Sequence, residues 1–239
     1  MKTVVVFSGG LDSTALLVQT LVQTAATHAL SFYYGQKHQK ELEAAAHICK
    51  LLKVPHTILN VANIYQGCNS ALMQRSMLDI PQKEYAEHSK LDRDAFGAVI
   101  TSIPARNLLF SLSAMIFAAI HNYSEVVLAV HKNDGDFYAY PDCTPSVLTP
   151  FAHSLMSAFD NKIRLHFPFI SFQKHELLAD TVALYPTLSA VLKHSWSCYE
   201  ASDKHCGLCA TCRERRHAYQ RAGLLDPTVY AKEENDADM

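Results

Sequence analysis

The chain has 239 residues, of which 49% are hydrophobic and 18% charged, with a formal net charge of −2. This is the composition of a folded chain with one good core, and the absence of a basic excess argues against nucleic acid as a partner. The first apolar run is too short for a cleavable signal, and the longest, residues 108–120, is interrupted by serines and falls short of the roughly 20 residues a bilayer span needs. A cytoplasmic protein without a membrane partner is expected.

Val4, Val5, Val6 and Phe7 form an apolar run that predicts a first strand. Ser8, Gly9 and Gly10 follow at once, and Leu11, Asp12, Ser13 and Thr14 open an amphipathic helix carrying Leu16, Leu17, Leu21 and Val22. Adjacent glycines let backbone N–H groups converge, and a helix N-terminus adds positive potential, so this stretch predicts a concave phosphate site. Ser8, Ser13 and Thr14 supply hydroxyls; Asp12 can hold a magnesium ion or orient the loop. A plain glycine turn is the competing reading, and the Walker pattern is absent.

Residues 28–34 predict a second strand, broken by Gly35. A helix beginning at residues 36–39 places Leu42, Ala45, Ala46, Cys49 and Leu52 on one face, and Pro55 precedes a third strand at 56–61. Such alternation predicts an α/β fold, a parallel sheet covered by helices. Residues 62–103 are irregular, and a connection that long is expected near the substrate. An apolar helix from residues 102–107 to about 121 is expected next, with Thr101 or Ser102 as cap and Pro104 in its first turn. Then come a strand at 125–130, a polar loop at 131–136, a helix reaching about 160, a strand at 163–170, and helices at 174–184 and 188–193.

Seven cysteines are an odd number, and Cys198, Cys206, Cys209 and Cys212 crowd into one short stretch. Their spacing predicts four thiolates around one metal centre, a tetrahedral zinc or an iron–sulfur cluster, rather than a disulfide framework. With four cysteine ligands and no open position, zinc there would be structural. Lys204, Arg213, Arg215 and Arg216 are near enough in sequence to offset the thiolate charge. Residues 210–222 predict a helix ended by Gly223. The expected organisation is an α/β domain at 1–194, a helical four-cysteine segment at 195–230 and a disordered acidic tail at 231–239.

The SGGLDST run at residues 8–14 resembles the pyrophosphate loop of ATP pyrophosphatases, which split ATP into AMP and pyrophosphate. FYYGQKHQKEL at 32–42, IPARN at 103–107, YPDC at 140–143, and WSCY with CGLCATC across 196–212 narrow the match. With all five in order, the chain resembles the 7-cyano-7-deazaguanine synthase (QueC) family from its first strand to about residue 230. The resemblance implies a Rossmann-like, adenine nucleotide alpha hydrolase-like sheet with helices on both faces and a small C-terminal zinc-binding segment. It also implies ATP, magnesium, structural zinc and a homodimer. The reaction implied joins ammonia to 7-carboxy-7-deazaguanine: ATP adenylates the carboxylate, ammonia displaces AMP, and a second ATP activates the amide so that AMP leaves a nitrile.

Under that resemblance Phe7, Ser8, Gly9, Gly10, Leu11, Asp12, Ser13 and Thr14 cradle the pyrophosphate, with Asp12 and Ser13 among the catalytic groups. Lys37 and His38 are expected to reach phosphate or the acyl-adenylate; a solvated lysine and a capping histidine are the bland alternative. Arg106 and Asn107, at a helix N-terminus, are expected to bind substrate or AMP. Asp142 is expected to pair with the guanidine-like edge of the base, and Tyr140 or Tyr138 to stack on it or to serve as core. His131, ending the fourth strand, is a candidate substrate contact and proton acceptor. Rival readings are a tRNA-thiolating enzyme, a glutamine-fed amidotransferase, a zinc adaptor, and a relative that stops at the amide or acylates a protein amine.

Overall fold

A computed structural model of the chain describes residues 1–24, 26–135, 140–200 and 202–232. Tyr138 and most of the expected acidic tail lie outside the described residues. In chain order the elements are β1 (Lys2–Val6), α1 (Leu11–Gln23), β2 (Ala26–Tyr33), α2 (Lys40–Leu52) and β3 (His56–Asn60). Next come α3 (Tyr85–Leu91), α4 (Arg106–Ile120), β4 (Glu125–Leu128) and the single turn α5 (Lys132–Gly135). The remainder is α6 (Pro145–Ala158), β5 (Arg164–His166), α7 (Lys174–Leu184), α8 (Pro186–Ser189) and α9 (Ala210–Arg221).

All five strands are parallel, in the order β3-β2-β1-β4-β5. Because side chains alternate across a strand, β1 serves two cores at once. Val5 and, just beyond the strand, Phe7 pack with Leu16, Ile48, Leu177 and Tyr219 on one face. Val4 packs with Met115, Ala118, Leu148 and Leu165 on the other. Helices therefore cover both faces, which is why these strands read as continuous apolar runs. A third cluster joins Tyr65, Leu72, Ile80 and Ile103 from the irregular connection to Cys198, Cys209 and Cys212. No described helix is long and apolar enough to cross a membrane.

Several boundaries differ from expectation. The helix expected from residue 102 starts at Arg106, because Ala105 takes a left-handed conformation (φ 51°) and Pro104 stays outside. The last strand shrinks to Arg164–His166, since turns close on Ile170 and Phe172. Residues 132–135, expected as loop, form the turn α5. Residues 231 and 232 fold back on the four-cysteine segment, where the Ala231 N–H donates to the His205 carbonyl (2.7 Å).

Candidate active site

In a sheet of this order the chain reverses direction of travel between β1 and β4, and such crevices bind ligands at the carboxyl ends of the strands. The loop after β1 and the turn after β4 meet there. Gly9 adopts φ +88°, and a Cβ on it would collide with the Glu41 carbonyl oxygen and the Ala45 amide nitrogen of α2, so only glycine fits. The Ser8 hydroxyl accepts from the Gly10 N–H and lies 3.0 Å from the Ser13 hydroxyl. The Ser13 and Thr14 hydroxyls both donate to the Gly10 carbonyl, at 3.2 and 2.7 Å. The loop is thus bonded to itself, with Ser8, Gly10, Leu11, Asp12 and Ser13 on the cleft wall.

Beside the loop lies a charged cluster. One carboxylate oxygen of Asp12 is 3.1 Å from Lys174 Nζ and 3.5 Å from His131 Nε2; Lys174 also donates to Glu214 at 2.6 Å. His131 is in turn 3.6 Å from Asp134. Burial alone would raise the Asp12 pKa, but Lys174 and His131 overcome it and hold this carboxyl well below its usual range. Burial opposes charge on His131 as well, yet Asp134 and Asp12 lift it to about 9. Lys174 is pushed above its usual range: burial works against its charge, and Asp12 and Glu214 more than offset that. The second oxygen of Asp12 is buried and has no hydrogen-bond partner among the described residues, leaving a free anionic ligand for a divalent cation beside the loop.

The facing wall is aromatic and hydroxylic. Phe32 and Phe110 stack at 4.2 Å between centroids with their rings 7° apart. Arg106 lies over the Tyr34 ring and donates to its hydroxyl at 3.2 Å. Tyr85 and Tyr199 share a hydrogen bond of 2.8 Å, and Tyr140 bonds Thr101, also at 2.8 Å. Burial pushes the Tyr140 phenol up to about 12 and holds those of Tyr85 and Tyr199 well above their usual range, so this wall is neutral apart from Arg106.

Among the expected site residues, Phe7, His38, Arg106, Asn107 and Tyr140 reach the cleft. Lys37 does not: alternation turns Gln36 inward, and Lys37 Nζ donates to the Leu78 carbonyl at 2.8 Å. Thr14 is fully buried behind the loop. Asp142, expected on the base, accepts from the Asn107 N–H at 2.9 Å and so caps α4, where a carboxylate is favoured. His131 lies behind Asp12, 1% exposed, rather than on the substrate side. Asn107 donates to Cys143 Sγ at 3.1 Å, and that thiol is raised by burial. Sequence reasoning missed Lys174, Glu214, Asp134, Tyr34 and Tyr199. Only Lys174 carried a local signal, being a cation in the first turn of a helix, where the dipole disfavours it.

The four cysteines bring their sulfurs within 4.8 Å of one another. Backbone N–H groups of Glu200 and Cys206 donate to Cys198 Sγ, and those of Leu208 and Cys209 to Cys206 Sγ, at 3.3–3.4 Å. Hydrogen bonding among the four close sulfurs raises Cys198 and Cys212 and lowers Cys206 and Cys209. The donor set fits a tetrahedral thiophilic metal. Arg215, expected to balance thiolate charge, is instead buried and bridges Ser195, Ser197 and Thr228. The segment is part of the cleft: the Trp196 N–H donates to the Gly9 carbonyl at 2.9 Å, and Ser197, Tyr199 and Glu214 line the wall.

A family model described as queuosine biosynthesis protein QueC matches residues 2–223. Proteins named 7-cyano-7-deazaguanine synthase from Brucella canis and Brucella suis are each 36% identical over 241 aligned positions, covering 100% of this chain and 96% of theirs. Looser likenesses extend to an NMN synthetase structure from Francisella tularensis (TM-score 0.45, 11% identity, covering 96% of this chain and 79% of that one). A U34-tRNA thiolase from Methanococcus maripaludis gives TM-score 0.44 at 12% identity, covering 94% of this chain and 73% of that one.

Proposed function

The chain belongs to the QueC family, and from that membership we propose that it is a carbon–nitrogen ligase that converts 7-carboxy-7-deazaguanine and ammonia to the nitrile. The observation that carries this reading is the pairing of the two walls: a self-bonded glycine loop beside a charged cluster, facing an aromatic, neutral surface. A carboxylate is a poor electrophile and its oxygen a poor leaving group, so each oxygen must leave on AMP. Catalysis then becomes positioning and electrostatics.

Ser8, Gly10 and Ser13 are the groups offered to the pyrophosphate, and Lys174 supplies a fixed positive charge beside them. Asp12 and Glu214 keep that lysine charged. The free Asp12 oxygen is suited to magnesium, which when bound screens the phosphate charges. Phe32 and Phe110 offer an apolar bed for a planar base, and Arg106, the one cation on that wall among the described residues, suits the carboxylate. Cys198, Cys206, Cys209 and Cys212 would hold zinc, whose part is to fix residues 196–199 against the loop. A homodimer remains the expected assembly.

Incubating the pure protein with 7-carboxy-7-deazaguanine, ATP, magnesium and ammonium tests the reading by product mass. Nitrile with two AMP is expected. Amide with one AMP would assign the family's amide-forming alternative, and no deazapurine product would overturn the proposal.

A further inference from the structure

The reaction proposed above strips three protons from one nitrogen. When ammonia attacks the acyl-adenylate, a C–N bond forms, the C–O bond breaks with its electron pair onto AMP, and one proton must leave. When the amide oxygen has taken the α-phosphoryl group of the second ATP, that C–O bond breaks onto AMP, and two more N–H protons leave as the triple bond forms. Two members of the charged wall are unsuited to accept them. Asp12 is clamped by Lys174 and His131, and His131 is held charged between two carboxylates.

A continuous chain of hydrogen bonds leads away from the opposite wall. The Tyr140 hydroxyl, on the cleft wall, is 2.8 Å from Thr101 Oγ1; Thr101 Oγ1 is 2.7 Å from His88 Nε2; and His88 Nδ1 is 3.1 Å from the Asp92 carboxylate. Thr101 and His88 are 2% and 1% exposed, whereas the Asp92 side chain is 20% exposed and pairs with Lys83 at 3.2 Å. A carboxylate only accepts, so Nδ1 carries the imidazole proton and Nε2 is the acceptor. Thr101 then donates to His88, and Tyr140 donates to Thr101. The polarity of the whole chain follows: Tyr140 gives its own proton inward and keeps its oxygen as an acceptor on the cleft side, where the Tyr199 hydroxyl is its other hydrogen-bond neighbour.

We infer that Tyr140, Thr101, His88 and Asp92 form a proton relay that withdraws the protons shed by the reacting nitrogen and delivers them to the surface. This rests on the ligase reading. Tyr140 accepts from the nitrogen as its own proton passes to Thr101, and the Thr101 proton passes to His88 Nε2. The result is an imidazolium facing the Asp92 carboxylate, from which the proton reaches solvent. Tyr140 is the group that meets substrate; the other three act through it. The charged groups around His88 are Asp92, Lys83 and Arg93, and burial together with the two cations keeps the imidazole below its usual 6.5, neutral and able to accept near pH 7.

The test is Thr101→Val, which keeps the shape and removes the hydroxyl, with Thr101→Ser as the conservative control. Adenylation of the carboxylate needs no proton from nitrogen, so ATP–pyrophosphate exchange with 7-carboxy-7-deazaguanine is expected to match wild type. Nitrile formation is expected to fall by about 100-fold or more. Wild type is expected to lose rate on the acid side as His88, whose imidazole lies below its usual value, becomes protonated; in Thr101→Val that loss should vanish, and Thr101→Ser should restore both rate and profile. Nitrile formation within about threefold of wild type, with an unchanged pH profile, would overturn the relay. If Thr101→Val does not melt like wild type, His88→Gln, which lies away from the cleft wall, carries the same comparison of exchange against nitrile. A wild-type protein with neither exchange nor nitrile would sink the ligase reading and the relay with it; exchange with an unaffected Thr101→Val sinks the relay alone.

Discussion

The two walls of the cleft solve opposite problems. On the loop side Asp12, Lys174, Glu214, His131 and Asp134 form a largely buried network in which Asp12, Lys174 and His131 are held charged by their neighbours. On the facing side Tyr34, Tyr85, Tyr140 and Tyr199 bring hydroxyls that stay protonated, with Arg106 the fixed charge among them. A network of fixed charge can hold an anion without reorganising, but it cannot pass protons on. A wall of neutral hydroxyls can pass protons but holds pyrophosphate poorly. The proposed reaction would therefore divide phosphate handling and nitrogen chemistry between the two walls.

The sharpest way to break the contrast is Lys174→Met. It leaves Asp12 and Glu214 buried without their shared cation, and removing one partner of a buried pair costs about 3–5 kcal/mol. A large drop in melting temperature is expected at neutral pH, together with loss of ATP turnover; a melt within a degree or two of wild type would show the network to be slack.

High pH attacks the same wall more gently. The folded-state pKa of His131 is raised from 6.5 to about 9, so its contribution is fully present below pH 6.5 and is lost as pH rises through about 9. At most it amounts to about 3–4 kcal/mol. Thermal melts of wild type should fall across that window, and His131→Gln should flatten the fall.

Gly9→Ala tests the loop backbone alone. Beyond about 1–2 kcal/mol for the left-handed conformation, the added methyl meets backbone of α2 that cannot swing away. Pyrophosphate release should be lost together with a clear drop in melting temperature; a variant with wild-type release and melt would show that the loop can move away from α2. Chelation is the mildest perturbation and links the walls. Because Trp196 holds the Gly9 carbonyl, metal removal should weaken ATP turnover and the melt of the C-terminal segment in parallel. Full activity in metal-free protein would detach the cysteine centre from the cleft.

How much could be read in advance follows the same division. The strand, loop and helix of residues 2–23 were legible because apolar pattern, glycine pair and helix start are all local, and the four cysteines because their spacing is short. Lys174 was not, because it meets Asp12 only after the chain has crossed the sheet. Lys37 stands beside the inward-facing Gln36, and in extended chain a neighbour faces the other way. Asp142 carried the right charge for a base edge, but it was equally suited to a helix N-terminus, and the fold uses it there. His88 and Thr101 lie in the irregular stretch 62–103, where no periodicity marks an inward face and only tertiary packing aligns them with Tyr140. The C-terminal segment looked separable in sequence, yet it builds part of the cleft.

Two adenylations in one cleft would carry away both carboxylate oxygens of a single substrate as AMP. The direct measurement uses 7-carboxy-7-deazaguanine with both carboxylate oxygens labelled with heavy oxygen, unlabelled ATP and ammonium, followed by mass analysis of nitrile and AMP. The account predicts two AMP molecules per nitrile, each carrying one label, and no label in pyrophosphate. Unlabelled AMP, or label lost to water, would contradict it.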